Sequence, residues 1–352
     1  FGPSSQRCDE GRWPVNCNGK WTVDNMPVLN VAFVGSEELA RTLAKKGDVR
    51  DIESYVYKEI VEGETRILSL LRPLRHPERL RPLLSVLNVA KAGVVEIDKI
   101  DAALGEVLVA FGSAGIHVGH AIISPEEGGW VDPEQVQVFL NQAGLEGWTL
   151  HESTPDEHML RESLLSNLQA GDEAAPLVIP IDQHFNVKGV GLVAIGYVQA
   201  GTVSKHDEIL VLPAQETGIA RSLQVMDDDV EQSLVGDRVG VALRNLREEA
   251  LHRGCILTHG NADALERHNG SKFTLSLAPF QKRELSEGDV IHAAVDLQFQ
   301  VGRITSLQAD EINVDWEQPL WVQKRDAAPV IIAQLDAGNM RIMGVAKNIS
   351  PV

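Results

Sequence analysis

The stretch Pro180–Gly196 reads PIDQHFNVKGVGLVAIG, and two shorter ones follow it in the same texture, Gly236–Leu243 (GDRVGVAL) and Arg253–Thr258 (RGCILT). Each is a short run of aliphatic and β-branched residues cut by Gly, Asn or Asp, which is the composition of strands between tight turns. Leu177–Ile181, Gly191–Ala200, Glu208–Leu212, Ala220–Val225, Arg238–Leu243 and Gly254–Leu257 are predicted as strands. Strands recurring every 8–12 residues or so predict an all-β barrel or sandwich over 175–260.

The texture continues on the C-terminal side. His259–Gly270 (HGNADALERHNG) reads as a loop-rich break, and a second β set fills 271–352, from Phe273–Leu277 and Val290–Leu297 through Gln300–Leu307, Glu311–Val314, Leu320–Val322 and Val330–Leu335 to Met340–Lys347. On the N-terminal side it changes. Gln169–Pro176 (QAGDEAAP) is a linker by composition. Before it, strands at Leu29–Val34, Thr65–Leu70, Gly93–Ile97 and His120–Ile123 alternate with helices at Glu37–Lys46, Pro77–Leu87, Ala102–Ala110 and Pro133–Gln142. That alternation predicts a parallel sheet with helices on both faces over 27–174. Residues 1–26 carry Trp13, Trp21, Cys8 and Cys17 without either pattern and read as an extension outside the fold, as a reading frame begun upstream of Met26 would produce.

The 352 residues suit two or three domains. With 43% hydrophobic residues, disorder is excluded as the main state. The longest apolar runs, such as Val28–Val34, fall far short of the roughly 20 residues of a membrane helix. Three cysteines are too few for a disulfide framework and suit a reducing, cytoplasmic setting. A net charge of -18 argues against DNA and against general charge-driven nucleic-acid binding. That charge is uneven: -11 falls in 1–174, -4 in 175–260 and -2 in 271–352. The β domains are therefore nearly neutral. Arg66, Arg72, Arg75, Arg79 and Arg81 form a local basic spot in the acidic first domain, with Glu78 the only acid among them. Arg72, Arg75 and Arg79 are candidate RNA or ribosome contacts; internal charge in place of a metal ion and a solvated basic helix face are the alternatives.

The first strand–helix turn, Gly35–Thr42 (GSEELART), stands where a phosphate loop GxxxxGK[ST] belongs. Gly35 and Thr42 fit. Ala40 replaces the second glycine and Arg41 the lysine, and a planar guanidinium is not equivalent to a compact ammonium. An ordinary βα turn is the other reading. His117 and His120 lack zinc spacing and no metal site is expected. Cys255 reads as a buried small residue, and Asp227–Asp229 as a solvated turn.

Residues 176–258, with the motifs quoted above and QAGTVSKHDEILVLP (Gln199–Pro213), resemble the second domain of translational GTPases of the EF-Tu class, SelB-like archaeal paralogues above all. The resemblance implies a P-loop-type G-like domain followed by two β-barrels, acting as a monomer on aminoacyl-tRNA and the ribosome, with GTP and Mg²⁺ as the cofactors of the family. It places part of an aminoacyl pocket at Asp182, Phe185 and Arg238, with Gln183 where the family has His; a structural Asp182–Arg238 ion pair is the competing reading. The family's DxPGH span falls on Arg72–His76 (RPLRH), which leaves His76 as a remnant of the catalytic position. Its guanine motif falls on Ser124–Glu127 (SPEE), where Glu127 could imitate the guanine-reading Asp. Phosphoryl transfer depends on positioning and on Mg²⁺, so these losses imply that hydrolysis is gone. Two other functions are kept open: a working GTPase with a non-standard site, and a ribosome-bound interaction protein that uses neither nucleotide nor tRNA.

Overall fold

A computed structural model describes residues 27–352 apart from 63, 169–170, 261–262, 309–310 and 325–327. The extension expected at 1–26 lies outside the described residues. The first domain runs β1 (Val28–Val34), α1 (Glu37–Leu43), β2 (Lys45–Val49), β3 (Ile52–Val61), β4 (Glu64–Pro73), α2 (Leu80–Leu87), β5 (Ala92–Ile97), α3 (Ala102–Ser113), β6 (Gly119–Ile123), α4 (Pro133–Gln142), β7 (Thr149–His151) and α5 (Glu157–Leu165). Its sheet order is β2-β3-β4-β1-β5-β6-β7; β4, β1, β5, β6 and β7 are mutually parallel, and β2 and β3 add an antiparallel edge. Strand alternation sorts the core. Leu29, Val31 and Phe33 of β1 pack with α1 and α5, whereas Ala32 joins the opposite core under α2, α3 and α4. Ser36, Asp101, Asp132 and Asp156 cap four of these helices by accepting main-chain N–H groups.

The predicted helix over 37–46 stops at Leu43. Ala44 is extended, and Lys45 and Lys46 pair with Val56 and Tyr55 in a β2–β3 hairpin. Strand pairing and two carboxylate partners for Lys46, Glu37 at 2.8 Å and Glu53 at 2.7 Å, override the helical preference of the Ala-Lys-Lys run. The helix predicted from Pro77 starts at Leu80.

The second domain contains β8 (Ile179–Val187), β9 (Gly191–Tyr197), β10 (Val203–Ser204), β11 (Glu208–Leu212), β12 (Glu216–Val225), β13 (Asp228–Val230), β14 (Gln232–Ser233), β15 (Arg238–Arg244) and β16 (Ile256–His259). The ring β11-β16-β8-β9-β15-β12 closes through β11–β12 pairing. The third contains β17 (Leu265–Leu277), β18 (Val290–Val295), β19 (Gln298–Gln308), β20 (Glu311–Gln323), β21 (Val330–Ala333) and β22 (Ile342–Pro351), closed in the order β17-β20-β19-β18-β21-β22. Residues 265–270, read as part of a break, are strand. β20 is continuous where two strands were expected: the Glu-Gln-Pro segment within it is absorbed by a register shift opposite His268 and Gly270.

The domains meet at the motif glycines. Gly236 of GDRVG has φ +98, and a Cβ there would lie 2.6 Å from Val28 O of the first domain. Gly254 of RGCIL has φ +89 and faces Leu297 O of the third at 3.0 Å. Both positions need glycine. The Asp296–Leu297 turn enters this junction with both residues at positive φ; Leu297 N–H donates to Asn88 Oδ1 at 3.2 Å, and its side chain is buried in the core of the first domain. Leu297→Ala should cost about 2–5 kcal/mol in chemical denaturation and raise protease sensitivity at the junction with the third barrel. An unchanged midpoint would show that the turn carries no interdomain packing.

Candidate functional site

In the first βα turn the helix begins at Glu37, directly after Gly35 and Ser36. Ala40, Arg41 and Thr42 therefore lie within α1. Ala40 is buried, Arg41 Nε donates to Glu37 Oε1 at 2.7 Å, and Thr42 Oγ1 donates to Leu39 O at 2.8 Å. The N–H of Ser36 donates to Glu96 Oε2 at 2.6 Å. Gly35 is what lets Glu96 in, since a Cβ there would lie 2.8 Å from Glu96 Cβ. A carboxylate from β5 thus occupies the anion position that a helix start offers. The donor set does not fit nucleotide phosphates and Mg²⁺: no loop wraps between Gly35 and α1, and the Thr42 hydroxyl is committed to Leu39 O.

Beside this turn the buried Glu53 collects Lys46 at 2.7 Å, Arg72 at 2.8 Å and the Tyr55 hydroxyl at 2.8 Å. Burial works to raise its carboxyl, and Lys46, Tyr55 and Arg72 together hold it below its ordinary value. Arg72 Nε also donates to Gly35 O at 2.7 Å. Arg72 is thus an internal counter-charge in this network.

His76 lies elsewhere. Its Nε2 is 3.0 Å from Glu106 Oε2, and Glu106 also accepts from Arg341 of the third barrel, at 2.8 Å from the main-chain N–H and 2.9 Å from Nε. Burial raises the Glu106 carboxyl, but Arg341 and His76 outweigh it and bring it down to about 2. The His76 imidazole is engaged by Glu106, the residue that bridges to the third barrel through Arg341.

On the second barrel Asp182, Gln183 and Arg238 do come together, and the β2–β3 hairpin sits on them. Gln183 Nε2 donates to Asp48 Oδ2 at 2.9 Å and to Asp182 Oδ2 at 3.2 Å. Arg238 lies 3.7 Å from Asp182 and 3.5 Å from Asp48. Arg253 joins them, 3.5 Å from Asp182 and paired with Asp51. Phe185, further along β8, is exposed. Asp237 of GDRVG serves the turn, accepting from Ser233 Oγ and Leu234 N, and burial pushes its carboxyl up to about 6.

Of the five arginines, Arg66 pairs with Glu59, Arg72 with Glu53, and Arg81 lies over the Phe299 ring at 5.6 Å. Arg75 and Arg79 are exposed and make no ion pair among the described residues. Glu127 is exposed in the β6–α4 loop. His120 is buried against His151 at 2.9 Å and Ser163 at 3.1 Å; burial, then His151, lowers it to about 4. Burial raises the Cys255 thiol to about 11. Among the described residues no group of three His, Cys, Asp or Glu could hold a metal ion. Glu53, Glu96, Glu106 and Arg253 carry these sites and were missed from sequence, although Glu96 and Glu106 stand as lone acids in apolar runs.

Residues 191–258 match the family described as Elongation factor Tu domain 2. The fold matches SelB of Methanococcus maripaludis in complex with a GTP analogue, at TM-score 0.74 and 17% identity over 93% of this chain and 80% of that one. It also matches a bacterial selenocysteine-specific elongation factor, at TM-score 0.72 and 18% identity over 92% of this chain and 58% of that one. The chain has the fold of these elongation-factor structures: a parallel-sheet G-like domain followed by two six-stranded barrels. Its second barrel carries the Elongation factor Tu domain 2 match, and in sequence and fold the chain is similar to EF-Tu/SelB-type elongation factors. In sequence it is 43% identical to the selenocysteine-specific elongation factor of Methanocaldococcus jannaschii over 150 residues, 42% of this chain but only 31% of that protein. It is 29% identical to an uncharacterized protein of the same organism over 92% of this chain and the whole of that one.

Glu106 generates a pH test. Its depressed carboxyl contributes stability above about pH 4.5 that is lost as pH falls toward 2. Glu106→Gln should lower stability by about 3 kcal/mol at pH 7, and the gap to the parent should close between pH 4.5 and 2 in denaturant titrations. A gap independent of pH would contradict the pairing.

Proposed function

We propose that this chain is an elongation-factor homologue that binds aminoacyl-tRNA, or a special tRNA, and the ribosome, and that it does so without hydrolysing GTP. The observation that carries the loss of hydrolysis is the Glu96 carboxylate on the Ser36 N–H, at the head of a helix that starts immediately after Gly35. Catalysis of phosphoryl transfer needs charge compensation by Lys and Mg²⁺ on phosphates held in a cradle; here protein carboxylates and Arg72 balance one another instead. GTPase switches also depend on segments ordered by the γ-phosphate, and only Ala44 separates α1 from β2.

The tRNA reading is supported by likeness to SelB and by the gathering of Asp182, Gln183 and Arg238 on the second barrel, with Phe185 the aromatic neighbour along β8. Arg75 and Arg79, exposed beside the acidic first domain, are the RNA-phosphate contacts in this reading. The protein works as a cytoplasmic monomer. A second reading, a ribosome-bound protein without tRNA affinity, is favoured by one observation: Asp48 already fills the space between Gln183 and Arg238.

Nucleotide-free protein should bind tRNA and co-sediment with ribosomes. Binding to tRNA should weaken as salt rises, and Arg75→Glu with Arg79→Glu should weaken it by about tenfold. Co-sedimentation without tRNA binding selects the second reading, and absence of both refutes the two together.

A further inference from the structure

No Lys or Arg occurs between Lys99 and Arg161, while ten Asp or Glu do. The stretch covers α3, β6, α4, β7 and the first turn of α5, the β7 side of the first domain. Glu106 is buried on Arg341, Asp101 pairs with Lys99, and Glu157 with Arg161. Six of the others, Glu126, Glu127, Asp132, Glu134, Glu152 and Asp156, lie on one rim, where β6 and β7 end and α4 and α5 begin. Asp132 and Asp156 cap those two helices, and none of the six meets a Lys or Arg among the described residues. Trp130 stands on the same rim at 79% exposure. Its display is built. Gly129 N–H donates to Glu126 O at 2.7 Å, Gly128 has φ +80, and Val131 is buried in the core shared by α3 and α4. A closed turn on one side and a core anchor on the other hold the indole out in solvent. Met159, in the first turn of α5, is exposed on this rim as well.

We infer that this rim is a docking surface for an arginine-rich segment of a partner protein, with Trp130 as its anchor. An exposed Trp is a large apolar face left in water, and such faces are common anchors of protein interfaces. The carboxylates around it fix the sign of the occupant. Like charges gathered without counter-charges repel one another, and a cationic segment relieves that repulsion. Guanidinium groups stack on indole faces and fork to carboxylates, which ammonium groups do less well. A metal ion lacks convergent ligands: among the described residues no group of three His, Cys, Asp or Glu could hold one. RNA is disfavoured, because its phosphates would meet the six carboxylates. The exposed Arg75 and Arg79 follow β4, which β1 and β5 separate from β6 in the sheet. The inference concerns a protein partner and stands or falls apart from the tRNA reading.

The test uses the full chain and two labelled peptides, nona-arginine and nona-lysine, in fluorescence anisotropy at two salt concentrations. Nona-arginine should bind more tightly than nona-lysine, and its affinity should fall as salt rises. Trp130→Ala should weaken it about fivefold, and Trp130→Tyr should recover most of that loss. Glu126→Gln with Glu127→Gln should weaken it about tenfold. Asp227→Asn with Asp229→Asn, an equal change of charge on the second barrel, should leave it unchanged. That control separates the rim from the overall charge of -18. Equal losses from the two charge pairs, or unchanged affinity in Trp130→Ala, overturn the inference. A second measurement needs no variant. Saturating nona-arginine should slow amide exchange across residues 124–132, and unchanged exchange there contradicts docking on the rim. An oligouridylate serves as the RNA probe: binding of it that Trp130→Ala weakens would give the rim to RNA and overturn the inference. Transfer RNA binding should be the same in Trp130→Ala and the parent, which keeps this outcome distinct from that of the tRNA reading.

Discussion

A charge taken out of water must be paired, because an unpaired one costs several kcal/mol and a paired one roughly breaks even. Two of the three buried charge sets bridge domains, and the third sits at the base of the hairpin that reaches the second barrel. Glu106 is 1% exposed and carries full charge because His76 and Arg341 arrive from two directions. Glu53 carries its charge because Lys46 and Arg72 do the same. Arg238 and Arg253 are matched by carboxylates from the barrel and from the hairpin. Each of these sets spans chain segments distant in sequence, so breaking one member strands the others.

The same pairing bears on function. In a nucleotide-dependent factor, part of the compensation comes from a ligand, and the structure responds when the ligand changes. Here Glu96 sits on the Ser36 N–H and Arg72 reaches the Gly35 carbonyl, so the first βα turn is satisfied by the chain's own groups. His76 is held by Glu106, which itself accepts from Arg341 of the third barrel.

Much of this was legible in the sequence. Alternating strands and helices gave way to short strands near residue 170; that the glycines of GDRVG and RGCIL face a neighbouring domain became visible only in the structure. The Lys45–Val49 strand was not legible, since KKGDV has no apolar alternation and is held by pairing with β3. For Arg72 internal charge was one of three readings, and which acid it meets was not legible. Its partner Glu53 is distant in sequence, and a basic run on the page became one internal charge with exposed neighbours. Glu96 and Glu106 left a faint signal as acids inside the apolar runs GVVEI and ALGEVLVAF. What they bind depends on the meeting of domains, which local pattern does not encode.

We propose that protein carboxylates and arginines stand where nucleotide phosphates and Mg²⁺ would act. The most direct test is a calorimetric titration of the full chain with GTP and with GDP, each with Mg²⁺, followed by an assay for released phosphate. The account predicts no saturable heat up to millimolar nucleotide and no phosphate above background. Saturable binding in the micromolar range, with or without hydrolysis, would contradict it.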